Sequence, residues 1–438
     1  MKSQMARGPD AQRPTRSAKT KKYVKQTAHF EARRDGKPII FGWGGHLSRH
    51  EKNQLANRAI WSVTILLIAL IVFVLVGFWV NINIIIPNKA IASVNDQNIP
   101  QADYHKMAVF RGELYNNQLN GVHGLIAQRD ALQSKINSTK DEAQKADLNN
   151  QLQALTDTNN PTSIPSIQNN HFVQSSLGNE AIEWLQDDIV LRNWLNKQSN
   201  AIQKQINPSD AAMTKAMNDF KANFPRGVDY NSFLGQNSVS DDDMRAMMAV
   251  KLRRDNMQAY QASLITSPAR QVRARIIAVA TPTDAQDIIK QIQGGADFAK
   301  LAGDKSLDDK TKSNGGELGW LAPGQYTKEI DGNLRATIDN WLSDPARKPG
   351  DLSPDLTENG TEHVVQIEEV DPSRPIDAAM LQKLKDNALT GWLLAQREAY
   401  LPGRIGTPDA ALLLDPVNMP SFVPTSPPQQ GAPTGISS

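Results

Sequence analysis

The chain of 438 residues is long enough for two or three domains, carries 48 Lys/Arg against 46 Asp/Glu, and contains no cysteine. A net charge of +2 argues against a strongly basic nucleic-acid binder. Without cysteine there is no disulfide framework, thiolate nucleophile, zinc finger, iron–sulfur cluster or cysteine-borne lipid anchor. The charge balance averages unlike parts: residues 1–58 hold 14 basic and 4 acidic residues, which leaves 34 and 42 for the other 380.

Residues 1–58, rich in Lys, Arg, Gln, Gly and Pro, are expected to form a basic, mostly disordered leader. Ala59 to Val80 then runs 22 residues without a charge. As a helix this stretch spans about 33 Å, enough to cross a ~30 Å hydrocarbon core. Trp61 and Trp79 stand near its ends, where amphipathic rings favour the interfaces. Arg49, Lys52 and Arg58 flank only the N-terminal end, so the positive-inside rule places the leader in the cytoplasm and everything after about Ile86 outside. The leader's charge serves as a topology signal or also contacts anionic lipid.

The stretch AIASVNDQNI (90–99) alternates apolar residues around Asn95-Asp96 and predicts a small hairpin. Pro100 and Asp103 open a helical pattern, and a helical domain is expected over 88–266. Within it Leu125, Leu132, Ile136, Leu148, Leu152 and Leu155 predict an amphipathic helical arm or helical hairpin at 120–155. Asn159 to Pro165 marks a break; helices resume at Ile182, Leu185 and Ile189 and continue through 208–224 and 241–264. The pattern changes near Ser267-Pro268. VRARIIAVA (272–280) and HVVQIEEV (363–370) read as strands, and ADFAKLAG (296–303) as a short helix, which predicts an α+β domain over 270–371. Residues 376–400 read as helix again, and 406–438 as a disordered Pro-rich tail.

No HExxH, GxSxG or GxxxxGK[ST] pattern occurs, and the seven histidines have no metal-ligand spacing. GGADFAK around Gly294 reads as a helix start, and Asp308-Asp309 and Glu368-Glu369 as solvated faces. No metal or cofactor is expected.

Five segments, in order, carry a resemblance: VRARIIAV, GGADFAKLAGDKSLD, NGGELGWLAPGQ (314–325), KPGDLS (348–353) and GTEHVVQIEEV (360–370). Together they resemble the parvulin family of peptidyl-prolyl cis–trans isomerases. AIASVNDQNIPQADY is similar to the start of the helical chaperone domain in the SurA and PrsA group of extracytoplasmic foldases. The resemblance implies a parvulin-like βα3βαβ2 domain inserted in an α-helical, SurA-N-like domain. A helix at 376–400 would complete that domain, and one transmembrane helix would precede it. It also implies catalytic positions at Asp308 (the acidic-or-thiol position), His363 (the second histidine) and Thr357. Leu318, Gln325, Tyr326 and Ile330 would bind substrate. Ile276 replaces the first-strand histidine, Tyr326 a methionine and Ile330 a phenylalanine, and an extra residue lies between Gly360 and His363. The implied partners are unfolded or partly folded exported polypeptides with X–Pro bonds, and membrane lipid through 59–80, with no nucleic acid. Two other readings stay open: a parvulin-like chaperone with weak or no isomerase activity that binds unfolded exported chains, and an envelope protein that assembles through the helical arm.

Overall fold

The computed structural model describes residues 49–326, 336–358, 360–399, 405–406 and 408–428; residues 1–48 of the expected leader (1–58) and residues 429–438 lie outside it, while residues 49–58, expected as disordered, are helical. The chain divides into two units, 1–81 and 82–438. In the first, helix α1 (Arg49–Val80) exposes apolar side chains on all its faces, Phe73 to 76%. The apolar stretch over Asn53–Asn88 is long enough to cross a membrane.

In the second unit, after a π-helical turn and a short helical turn over 82–88, comes the antiparallel hairpin β1 (Ala90–Val94) and β2 (Gln97–Pro100). Asn95 turns it with a φ of 53°, a left-handed conformation that Asn tolerates. The helices α2 (Gln101–Asn120), α3 (Leu125–Ser138), α4 (Glu142–Thr156), α5 (Ile164–Asn170) and α6 (Gln174–Leu195) follow. After them come α7 (Asn200–Ile206), α8 (Asp210–Ala222), α9 (Tyr230–Gln236) and α10 (Asp241–Leu264). The core of this body joins Tyr104, Met107 and Phe110 of α2, Leu177, Ala181 and Ile189 of α6, and Met244 and Met248 of α10. A capping box at Ser240 and Asp243 starts α10. The pair α3–α4 forms a helical hairpin whose one buried residue is Ile136.

Between α10 and the closing helices lies a four-stranded antiparallel sheet of order β4-β3-β6-β5. Its elements are β3 (Ala269–Val279), α11 (Pro282–Gln293), α12 (Phe298–Lys305), a 3₁₀ turn at Lys312–Asn314, β4 (Glu317–Leu321), α13 (Ala336–Ser343), β5 (Leu356–Glu358) and β6 (Thr361–Arg374). The order β-α-α-3₁₀-β-α-β-β is the expected βα3βαβ2 arrangement, with its third helix reduced to one turn. Because strand side chains alternate, Val272, Ala274, Ile276, Val365 and Ile367 meet α13 on one face. Ile277, Val279 and Val364 meet α11 and α12 on the other. Ala269 pairs with Arg374, so the chain enters and leaves this domain at one point.

Two expectations for the C-terminal part need correction. Asn387 breaks the helix expected over 376–400 into α14 (Ala378–Asp386) and α15 (Ala388–Ala399). Its side-chain amide and backbone N–H both donate to the Lys383 carbonyl and close α14. Leu389 and Leu393 of α15 pack with Leu191, Leu195, Ile206 and Met257 of the helical body. The region expected as a disordered tail is structured over 408–428. Ile405 bridges Val94, the Gly406 and Asp409 amides donate to Ser93 and Ile91 of β1, and α16 (Ala410–Leu413) follows. Leu413, Met419 and Val423 lie buried in the main core. Proline density stops helix and sheet, but it does not stop three well-spaced apolar side chains from being buried.

Buried ion pairs fasten α15 and α10 to α6. Asp187, 3% exposed, accepts from Arg254 Nη1 at 2.6 Å and from Arg397 Nη2 at 2.6 Å. Asp188 accepts from Arg253 Nε at 2.7 Å and Arg192 Nε at 2.8 Å.

Candidate active site

The α13 face of the sheet gathers three of the seven expected site residues, Leu318, Tyr326 and His363. Ile276, Tyr326 and, partly buried, Leu318 belong to one apolar cluster with Leu321, Leu356, Ile338, Trp341 and Leu342. His363 pairs across the sheet with Ala278 on β3 and Leu356 on β5. By strand alternation it shares the face of Val365 and that cluster. It is 1% exposed, and its Nδ1 lies 3.3 Å from the Leu356 carbonyl. One step along the same face Ile276 is fully buried, so an aliphatic group fills the place implied for the first-strand histidine.

Asp308 reaches the same end of the sheet by a different route. The Leu307 amide donates to the Ala278 carbonyl at 2.7 Å, and the Ala278 amide donates to Ser306 Oγ at 3.2 Å. These bonds stitch the loop after α12 to the strand residue that faces His363. The Asp308 carboxylate accepts from the Lys310 amide at 3.2 Å and from Thr311 Oγ1 at 2.6 Å, and so shapes its own loop. A carboxylate has about four acceptor positions, so these two bonds leave capacity for a ligand.

Three positions fall elsewhere. Thr357 is exposed on the opposite face of β5 and donates to Glu362 Oε2 at 2.7 Å, so it does not join His363. The reason is pleat parity: Leu356 takes the place opposite His363 and turns its neighbour away. Gln325 folds back on its own turn, its Oε1 accepting from the Ala322 amide at 3.0 Å. Ile330 lies outside the described residues.

One residue that sequence reasoning missed organises this face. Asp339 on α13 accepts from the Gly324 amide at 2.9 Å and the Tyr326 amide at 3.1 Å, which pins the turn carrying Gln325 and Tyr326 to the helix. Burial pushes its carboxyl up to about 6, against the lowering effect of those two amides and Ser343. The available signal was a lone acid inside ATIDNWLS, next to the core positions Ile338 and Leu342. The NGGELG segment also has a physical reason. Gly316 has a φ of 79°, its carbonyl accepts from the Ile276 amide at 2.8 Å, and a Cβ there would stand 2.3 Å from the Ile276 carbonyl oxygen. Only glycine lets that loop lie so close to β3.

Residues 276–350 match the Rotamase family, the PPIC-type PPIASE domain. A parvulin-like PPIase of Rickettsia bellii is 28% identical over 187 residues, 42% of this chain and 60% of that protein. Foldase protein PrsA of Oceanobacillus iheyensis is 21% identical over 37% of this chain and 54% of its own. Chaperone SurA of Burkholderia thailandensis is 31% identical over 124 residues, 26% of this chain and 25% of its own. The chain thus spans little more than half the length of the first two relatives. Among solved structures, the peptidylprolyl isomerase PrsA of Bacillus anthracis is 20% identical over 45% of this chain and 88% of its own, with a TM-score of 0.26. The parvulin domain of PpiD from E. coli is 25% identical over 24% of this chain and 93% of its own, with a TM-score of 0.20.

Proposed function

From a chain that carries a PpiC-type peptidyl-prolyl isomerase domain, we propose a membrane-anchored extracytoplasmic foldase that isomerises X–Pro bonds in exported polypeptides. In this reading α1 holds the protein in the membrane, the leader stays in the cytoplasm and the body works outside. The observation that carries it is the coincidence of the family match with the apolar face holding Leu318, Tyr326 and Ile276.

The chemistry suits such a face. Prolyl rotation breaks no bond but crosses a barrier of ~20 kcal/mol, because the planar amide loses its resonance when it twists. A twisted amide is less polar than a planar one, so an apolar cup that excludes water favours the transition state over both ground states. Leu318 and Tyr326 form that cup for the proline ring, with His363 buried on the same face and Asp308 on the adjoining loop as polar groups. Asp339 holds the Tyr326 turn in place.

The aliphatic Ile276 favours a second reading, in which the domain binds prolyl segments while turnover is slow and the protein acts chiefly as a chaperone for unfolded chains. Prolyl isomerisation by the full-length protein in detergent separates the two, with Asp308→Ala and His363→Ala as comparisons. The enzymatic reading expects catalysis that falls at least tenfold in one of these variants. A rate equal to the uncatalysed one, together with suppressed aggregation of an unfolded client, would establish the chaperone instead. Protease added to intact cells should degrade the body and spare residues 1–58; the opposite pattern refutes the orientation.

A further inference from the structure

The segment 410–424 sits on the helical body as a peptide sits in a groove. Leu413, Met419 and Val423 are inserted, while Leu414 and Val417 between them stay 52% and 73% exposed. Met419 and Val423 lie against two glycines: a Cβ at Gly178 would stand 3.0 Å from Met419 Cε, and one at Gly112 3.0 Å from Val423 Cγ2. Phe422 lies tilted at 57° to Phe233, with ring centroids 5.6 Å apart.

The polar contacts between body and segment have one character. Tyr104 Oη donates to the Leu413 carbonyl at 2.8 Å. The Gln174 amide donates to the Pro424 carbonyl at 2.9 Å and its Nε2 to the Val423 carbonyl at 3.1 Å. His105 Nδ1 lies 3.2 Å from the Asn418 carbonyl. Each contact reads a main-chain carbonyl, which every residue offers. Pro416, Pro420 and Pro424 lack an N–H, so this stretch presents more acceptors than donors, and the groove answers with donors. Ile405, Gly406 and Asp409 differ: Ile405 bridges Val94, the Gly406 and Asp409 amides donate to β1 carbonyls, and these residues belong to the fold.

We propose that this cleft between α2 and α6 is a binding groove for extended, proline-containing apolar segments of unfolded polypeptides, and that residues 410–424 are its resident, displaceable occupant. The inference rests on the foldase reading and names where a client docks outside the isomerase domain. The tail then acts as an intramolecular competitor: a client meets only the fraction of molecules whose groove is open, and its apparent affinity falls by that fraction.

The chain's lack of cysteine makes the test clean. Gly112→Cys with Val423→Cys in the full-length protein places one disulfide across groove and tail. The probe is fluorescent reduced, carboxymethylated α-lactalbumin. The oxidised form is expected to bind it at least tenfold more weakly than the reduced form, and a synthetic peptide of residues 408–428 should compete with the probe on the reduced form. In Met419→Ser with Val423→Ser, checked for fold by circular dichroism, binding should tighten about tenfold, as for a tail closed some 90% of the time. Equal binding by oxidised and reduced forms, or no binding by either, overturns the groove. Isomerisation of a short prolyl peptide, read in the same samples, reports on the isomerase separately. If it persists while the lock has no effect, the groove falls and the enzyme stands; a lock effect without isomerisation gives the reverse.

Discussion

Gly316 and Asp339 show how single atoms hold the candidate site. Replacing Gly316 by alanine meets both a positive φ and a backbone oxygen at 2.3 Å, so β3 and its loop must separate. The expected cost is about 2–3 kcal/mol, read as a lower urea midpoint at unchanged slope. Asp339 makes a prediction with a sign. Its carboxyl is raised from 3.8 to about 6 in the fold, so the folded state binds more protons than the unfolded one across that window. Its contribution is therefore fully present below pH 3.8 and is lost as pH rises through about 6. Between pH 4.5 and 7.5 the wild type should lose about 2 kcal/mol relative to Asp339→Asn in urea titrations. A pH-independent gap between the two would refute this assignment. Leu318 and Tyr326 were legible through the family resemblance, and the structure places both in one apolar cluster. Asp339 was not, since nothing in its own helix reveals that its partners are amides 13 and 15 residues earlier.

At the level of elements, the strands and long helices declared themselves through alternation and 3.6-residue spacing. VRARIIAVA lies in β3 and HVVQIEEV in β6, because burial on a sheet imposes the period seen in the sequence. Thr357 shows where this logic stops: one extra residue in a hairpin reverses a side chain, and pairing register is not written in composition. The tail shows a second limit, because its anchors at 413, 419 and 423 follow no period. The attachment of α15 is equally invisible in sequence, since Arg397 meets Asp187 only after 210 residues. Asp187→Ala should cost about 3 kcal/mol, because it strands Arg254 and Arg397 beside a buried surface. Arg397→Ala should cost only about 1 kcal/mol, since Asp187 keeps Arg254 and Arg397 is 30% exposed. Equal losses in thermal melts would mean that the two arginines do not share one acceptor.

For the whole molecule, the paired ends of the inserted domain matter most. With Ala269 opposite Arg374, the sheet domain is a side branch whose folding the helical body does not need for its own closure. Were that domain to melt alone, the body would carry a loose loop of about 100 residues, and the entropy of holding a loop shut grows only as the logarithm of its length. Calorimetry should therefore resolve two transitions, and Gly316→Ala should move only the one belonging to the sheet domain. A single cooperative transition displaced as a whole would show that the contact of α13 with α15 welds the parts together. Separable melting would give the cell a graded failure. On heating, the isomerising branch would be lost first, and a holding function in the helical trunk would outlast it.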